Sequence, residues 1–286
     1  MSGSRLICKP LGFGVLLLLA LCGGQGEASP VAKPGRIMSL TICTDELLMS
    51  LVPPDRILSL SYLSREKAAL RLFPEAAHIP VNRNSAEEIL ADKPDLVLTL
   101  PYASSAFRPL VEKNGTKIVE VPEVENFDQI RAVTRMVGKA VGEGARAEQL
   151  IAQMDAQLRQ LAARKPLHPV RVVAWNGSGY LAGRGSLFDT VLEAAGGSNV
   201  GSPGYTSMES LIALHPDVLA QGDEYKDMPS LQAGQAAHPL LLKLFGGRRV
   251  VYPSALIGCG LPQSAGAALA LQSALKAAMR NSGGVP

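Results

Sequence analysis

The chain has 286 residues, of which 47% are hydrophobic and 19% charged, enough to bury a real core and to fill two domains of ordinary size. Its formal net charge of +3 is too even to argue for a nucleic-acid partner or an anionic membrane surface. Arg5, Lys9 and Glu27 fall in a removable leader, so the remainder is closer still to neutral.

Residues 1–28 read as a secretory signal. Arg5 and Lys9 supply a positive start, Leu11 to Leu21 an apolar run too short for a bilayer span, and Gly26-Glu27-Ala28 small residues at the −3 and −1 positions of a cleavage site before Ser29. A rival reading takes Leu19-Ala20-Leu21-Cys22-Gly23 as a lipoprotein site acylated at Cys22; Leu21 is bulky for the position before that cysteine, so the soluble exported form is favoured. Loss of the leader removes Cys8 and Cys22 and leaves Cys43 and Cys259 in an oxidising compartment, where one disulfide is the expected state.

Strands and helices then alternate. Arg36 to Leu40 reads as a strand, and Thr44-Asp45 as the cap of an apolar-periodic helix through Leu47, Leu48 and Leu51. Pro53-Pro54 turns the chain into a strand over Arg56 to Leu60. A less regular part leads to the capped helix Ser85 to Leu90, the strand Leu96 to Leu100, the strand Lys117 to Val121 and a helix over Asp128 to Val141. Ala145 to Arg164 carries Ala147, Leu150, Ile151, Met154, Leu158 and Leu161 at steps of three and four with no Gly or Pro inside, which predicts one amphipathic helix of roughly 30 Å. After Pro166 and Pro169 the pattern resumes: strand Val170 to Trp175, helix Leu187 to Ala195, helix Glu209 to Leu214, strand Asp217 to Ala220, strand Arg249 to Tyr252 and a closing helix from Gln263 to Met279. The fold class is α/β: two lobes with mainly parallel sheets, 36–143 and 169–280, joined by one long helix at 144–165.

One internal match is specific. Glu87 to Val97, EEILADKPDLV, aligns without gaps on Glu209 to Leu219, ESLIALHPDVL. Pro-Asp is common turn chemistry and a Glu favours any helix N-terminus, yet one copy in each half argues a duplicated architecture with paired outward carboxylates.

Ligands of open parallel sheets bind beyond the carboxyl ends of the strands. Tyr62, Tyr102 and Trp175 fall at or just after such ends, and Tyr180, Tyr205 and Tyr225 in the loops beyond, whereas Tyr252 lies inside a strand. These residues predict an aromatic-walled cleft for a flat, sizeable, partly apolar ligand. The loop from Trp175 to Gly185 satisfies a dinucleotide fingerprint on paper at Gly177, Gly179 and Ala182. The helix begins only near Ser186, however, and no acid follows about twenty residues on, so a secreted oxidoreductase is the lesser alternative. Arg184 in that loop is available for a carboxylate, phosphate or catecholate oxygen, or is a solvated surface residue. The four histidines, His78, His168, His215 and His238, sit in turns or linkers, which gives no set of imidazoles for a bare metal. Ser178 lacks a nucleophile elbow and a base, and Asp45-Glu46 sit where a helix attracts acids without catalysis, so no catalytic residue is assigned.

In their order, Arg36 to Leu40 with Thr44-Asp45, the Glu87 block, the helix after Gly142, Gly179-Tyr180 with Gly183-x-Gly185, Ala195-Gly196-Gly197-x-Asn199 and the Glu209 block resemble the substrate-binding proteins of ABC importers for ferric siderophores and cobalamin, the class III periplasmic binding proteins. The resemblance implies no enzyme activity and no intrinsic cofactor. Its implied ligand is a metal chelate (ferric siderophore, haem or cobalamin), its implied location the periplasm, and its implied form a monomer when free. It also implies a permease dimer of the inner membrane as partner, with Glu87 and Glu209 at the positions that dock on its two subunits, and a connecting helix that permits only small lobe movements. A non-transport sensor with the same binding fold is a further alternative. Cys43 follows the first strand and Cys259 the last, so a disulfide there would pin the lobes, while two free thiols would be able to ligate a metal in the guest.

Overall fold

The first strand, β1 (Ile37–Ser39), is buried along its whole length, and its two neighbours set the topology. The computed structural model describes residues 33–175, 180–223 and 238–282, so the leader and Cys22 lie outside it. β1 pairs in parallel with β2 (Ile57–Ser61) and β4 (Leu96–Thr99), and β3 (Val81–Asn82) and β5 (Lys117–Glu120) complete a sheet ordered β3-β2-β1-β4-β5. Leu96, Val97 and Leu98 are fully buried in succession, because helices cover both faces of a parallel sheet and leave no polar side. Those helices are α1 (Ile42–Leu51), α2 (Lys67–Leu72), α3 (Ala86–Asp92), α4 (Arg108–Lys113) and α5 (Phe127–Ala140).

The second sheet contains β6 (Val170–Ala174), β8 (Gly197–Asn199), β10 (Val218–Gly222) and β11 (Arg249–Tyr252), again all parallel. From one edge its order is β8-β6-β10-β11, which repeats β2-β1-β4-β5 without the β3 edge. A short antiparallel ribbon, β7 (Tyr180–Leu181) with β9 (Gly204–Tyr205), sits beside it. Helices α7 (Leu187–Ala194), α8 (Met208–Ala213), α9 (Pro239–Phe245), α10 (Ala255–Gly258) and α11 (Ser264–Ser282) complete this half.

The sequence repeat has an atomic counterpart. A residue in the left-handed region follows each helix, Lys93 (φ 46°) as the cap of α3 and His215 (φ 47°) just past the cap Leu214 of α8, and Pro-Asp comes next in both. Asp95 Oδ2 then accepts from the backbone N–H of Arg36 at 3.0 Å, and Asp217 Oδ2 from that of Arg171 at 2.9 Å. In return the Arg36 guanidinium donates to the Asp92 carbonyl, and that of Arg171 to the Leu214 and His215 carbonyls, which satisfies orphan acceptors at each helix end. One aspartate and one arginine thus lock a helix to the inner strand pair of each sheet.

Between the halves, α5 turns sharply into α6 (Gly144–Ala163) at Gly142, whose φ of +75° is one that side-chain-bearing residues rarely adopt. Arg56 braces this turn from the start of β2, donating to Glu143 Oε1 and the Val141 carbonyl, both at 2.5 Å. α5 is also clipped along α6 by Arg131–Asp155 and Arg135–Glu148 ion pairs. Ala147 and Leu150 of α6 belong to the core of the first sheet, with Leu48, Leu60 and Leu98. Met154 and Leu161 belong to that of the second, with Val172, Val191 and Leu271. One helix is therefore built into two cores.

Several details differ from the sequence reading. The cap of α1 is Thr41, three residues earlier than expected, in a capping box with Thr44, because β1 stops at Ser39. The irregular part after Tyr62 holds α2 between two 3-10 turns, and β3, α4, β8 and α9 were not anticipated: each is short and lacks a full apolar period. Replacing Asp95 or Asp217 by Ala should each cost about 1.5–3 kcal/mol in urea unfolding, the typical worth of a lost charge-assisted hydrogen bond; a neutral result at both would show that the lock does not hold the helix to its sheet.

Candidate functional site

The carboxyl ends of both sheets open on one cavity of about 840 Å³. From the first half come Leu100 after β4, Val121 to Glu125 after β5, and Cys43 and Leu47 of α1. From the second come Tyr252 at the end of β11, the first turn of α7 at Leu187 and Phe188, and the stretch Ile257 to Gly260. The rings of Phe188 and Tyr252 lie 5.0 Å apart, tilted by 45°, an aromatic pair able to hold the apolar face of a guest.

Several contacts fix the separation of the two sides. Val124 packs against both cores. Thr190 Oγ1 donates to the Glu125 carbonyl at 2.7 Å, and Gln263 Nε2 to Ser50 Oγ at 3.0 Å. Arg71 of α2 pairs with Asp223 across the halves at 3.7 Å. At Gly260 (φ +66°) a Cβ would lie 2.1 Å from Val124, so only glycine allows this approach. Cys43 and Cys259, both in the cavity wall, are joined in a disulfide with a Cα–Cα distance of 4.9 Å across 216 residues of sequence.

Among the described residues, Tyr62, Tyr102, Trp175 and Tyr205, expected from strand ends to wall a cleft, do not line this cavity. Tyr62 begins a 3-10 turn and is 52% exposed, Tyr102 is 68% exposed with its hydroxyl 3.5 Å from Glu123, and Tyr205 is 82% exposed in the ribbon. Trp175 is only 3% exposed: it extends β6 by a bridge to Leu181, which puts it on the same sheet face as Val173, in a core with Leu211 and Leu219. Arg184 is exposed and is not among the lining residues. Tyr225 lies outside the described residues, as do residues 176–179, while Tyr180 is placed only by its pairing with Tyr205. The tyrosine that does line the cavity is Tyr252, a strand residue. Period two offered the signal, since Val250 turns to the core and Tyr252, on the same face at the strand's last position, reaches the cavity.

α7 begins at Leu187, capped by Ser186, five residues past Ala182, whereas a dinucleotide site opens its helix within the glycine motif. Asp45 and Glu46 are 2% and 4% exposed and border a separate void of only about 10 Å³, out of reach of a substrate in the cavity. Burial pushes the Asp45 carboxyl up to about 7 against the opposing hydrogen bonds from Ser39 and Ser61. Burial and then the neighbouring Asp45 push Glu46 up to about 8, and Glu46 Oε2 has no hydrogen-bond partner. Among the described residues no three His, Cys, Asp or Glu side chains cluster to hold a metal ion, and no helix is long and apolar enough to cross a membrane.

Residues 80–202 match the periplasmic binding protein family. A periplasmic haem-binding protein from a Roseiflexus species superposes with a TM-score of 0.70 at 24% identity, over 86% of this chain and 99% of that one. The chain has the class III periplasmic binding protein fold. By sequence it is 21% identical over 208 residues to an uncharacterized ABC transporter substrate-binding lipoprotein of Bacillus subtilis, covering 68% of this chain and 65% of that one. It is 22% identical over 202 residues to a cobalamin-binding protein of Halobacterium salinarum, covering 67% and 54%. The matches thus span less than two thirds of the length of these relatives, which are binding proteins rather than enzymes by their names.

Two outcomes follow from this geometry. Replacing both Cys43 and Cys259 by Ser should lower stability by about 2–5 kcal/mol, as expected for a bridge closing a long loop; unchanged urea unfolding would mean that the bridge does not constrain the chain. For Asp45 and Glu46, the folded pKa lies above the unfolded one, so their stabilising contribution is complete below about pH 4 and is lost as pH rises to 7–8. Glu46→Gln should therefore gain on wild type by on the order of 1–3 kcal/mol between pH 5 and pH 8, then level off. A difference that is constant over this range would contradict the buried, unpartnered carboxyl.

Proposed function

We propose that the chain is the extracytoplasmic substrate-binding component of an ABC importer, exported to the periplasm in soluble form. It captures a metal chelate, a ferric siderophore, haem or a corrinoid, in the cavity between its two sheets and delivers it to the permease. The observation that carries this reading is the cavity itself: two copies of one sheet topology, mounted on a shared helix, turn their strand ends toward a single space of about 840 Å³. Such a volume lies in the range of sites for sizeable small molecules. The mostly apolar wall and the Phe188–Tyr252 pair suit a chelate's organic shell, and the names of the relatives, cobalamin-binding and substrate-binding, agree. In this reading the protein is a carrier without enzymatic activity, as the names of its relatives suggest.

Glu87 and Glu209 are the docking residues of this reading. Both are exposed in the first turn of their helices, α3 and α8. The Ser207 hydroxyl holds the Glu209 carboxyl below the usual carboxylate range, so it is ionised at neutral pH. Two equivalent helices, each with a glutamate at the matching first-turn position, fit the two-fold symmetry of a permease dimer.

Calorimetric titration with a ferric siderophore panel, haem and cyanocobalamin should find at least one ligand bound at micromolar concentration or below, on the order of 8 kcal/mol. Calorimetry is preferred to tryptophan emission because Trp175 sits inside a core. Silence across the panel would overturn the reading. With a ligand in hand, the pair E87K and E209K should reduce uptake in cells by about tenfold or more while leaving the Kd unchanged; unaffected uptake would remove these two residues from docking.

A further inference from the structure

The described cavity wall has one sign. Its only charged side chains are Glu123 and Glu125; no lysine, arginine or histidine lines it. The two flank Val124, whose side chain is wedged between both cores. The backbone of Glu125 is pinned from both sides as well: its N–H donates to Gln129 Oε1 at 2.7 Å within its own half, and its carbonyl accepts from Thr190 of the other. Both acids are exposed, and the described ion pairs engage Glu112, Glu120, Glu143 and Glu148 rather than these two. The nearby cations are otherwise placed: Arg108 is tied to Glu112 and Glu120, Arg71 pairs with Asp223, and Arg184 stands outside the wall. Two carboxylates are thus held on a fixed segment at the lip of an apolar cavity with no described counter-ion.

We propose that Glu123 and Glu125 determine ligand charge. The cavity takes a chelate that carries positive charge, an ammonium or amine on its organic shell, and disfavours ligands with peripheral carboxylates. This rests on the carrier reading above and narrows it. A cationic group finds two carboxylates on a backbone already held in place, whereas a carboxylate-bearing guest brings like charges together at the cavity wall. Discrimination by repulsion needs no contact specific to the favoured ligand.

The test uses a charge-matched pair of probes: a linear ferric trihydroxamate with one free ammonium, and the same chelate with that amine acetylated. Haem and cyanocobalamin are titrated in parallel by calorimetry on the full mature protein with its disulfide intact. The ammonium form should bind about tenfold or more tighter than the acetylated form at low salt, with haem weaker than either. The double variant E123Q/E125Q should erase the tenfold preference while leaving the acetylated chelate's Kd in place, a readout that a merely folding-related loss would not give. Equal affinities for the matched pair, tight haem binding, or binding of cyanocobalamin alone would overturn the charge assignment and leave the carrier reading standing. Failure of every probe to bind would overturn both.

Discussion

The structure depends on α6 being owned by two cores at once. A helix that packs on one domain and merely leads to another leaves a flexible joint. Here Ala147 and Leu150 are buried in the first half and Met154 and Leu161 in the second, so tilting one half against the other means pulling apolar side chains out of a packed interior. α5 repeats the arrangement, with Val133 and Val137 in the first core and Phe127 and Ile130 in the second. The chain then returns: Leu261 joins the first core, and α11 runs back along α6. The cavity is the space left over when two sheets are held apart by parts that cannot easily shift.

Duplication explains why that space is usable. In each half a Pro-Asp turn and an arginine lock a helix to the central strands, and both sheets therefore end in the same direction relative to their own topology. Strand ends are where a parallel sheet can expose loops without disturbing its ladder, so two such ends facing one another supply a cavity wall from either side. The same copying places Glu87 and Glu209 in equivalent first turns, well exposed, on surfaces that the cavity does not use.

Much of the architecture was legible in the sequence. Long periodic segments are over-determined: the helix read over 145–164 is found at Gly144–Ala163, and the gapless match of Glu87 to Val97 on Glu209 to Leu219 has its atomic counterpart in the paired aspartate locks. The site was less legible, for a physical reason. Sequence can say that a residue follows a strand, but whether the next turn swings it toward the other half or toward water is decided by tertiary packing. Tyr62 enters a 3-10 turn and faces solvent, while Trp175 carries on as a strand residue and is absorbed beneath α8 and α9 residues of its own core. The residues that do wall the cavity, such as Leu47, Val121 and Phe188, are ordinary apolar side chains with no chemical signature. Glu123 and Glu125 lie in a stretch whose composition, Val-Pro-Glu-Val-Glu, reads as an unremarked loop until Val124 is seen to seat in both cores.

With α6 built into both cores, the two halves stand at a set distance before any guest arrives. Spin labels on the outer helices at Lys113 and Lys243, both exposed, report that distance by pulsed electron resonance in the empty, oxidised protein and again after loading. A single narrow distribution that loading leaves in place is the result expected of a shared-core strut. A broad or two-peaked distribution in the empty protein, or a shift on loading as large as one helical turn, about 5 Å, would show that the halves swing freely and that α6 is a hinge.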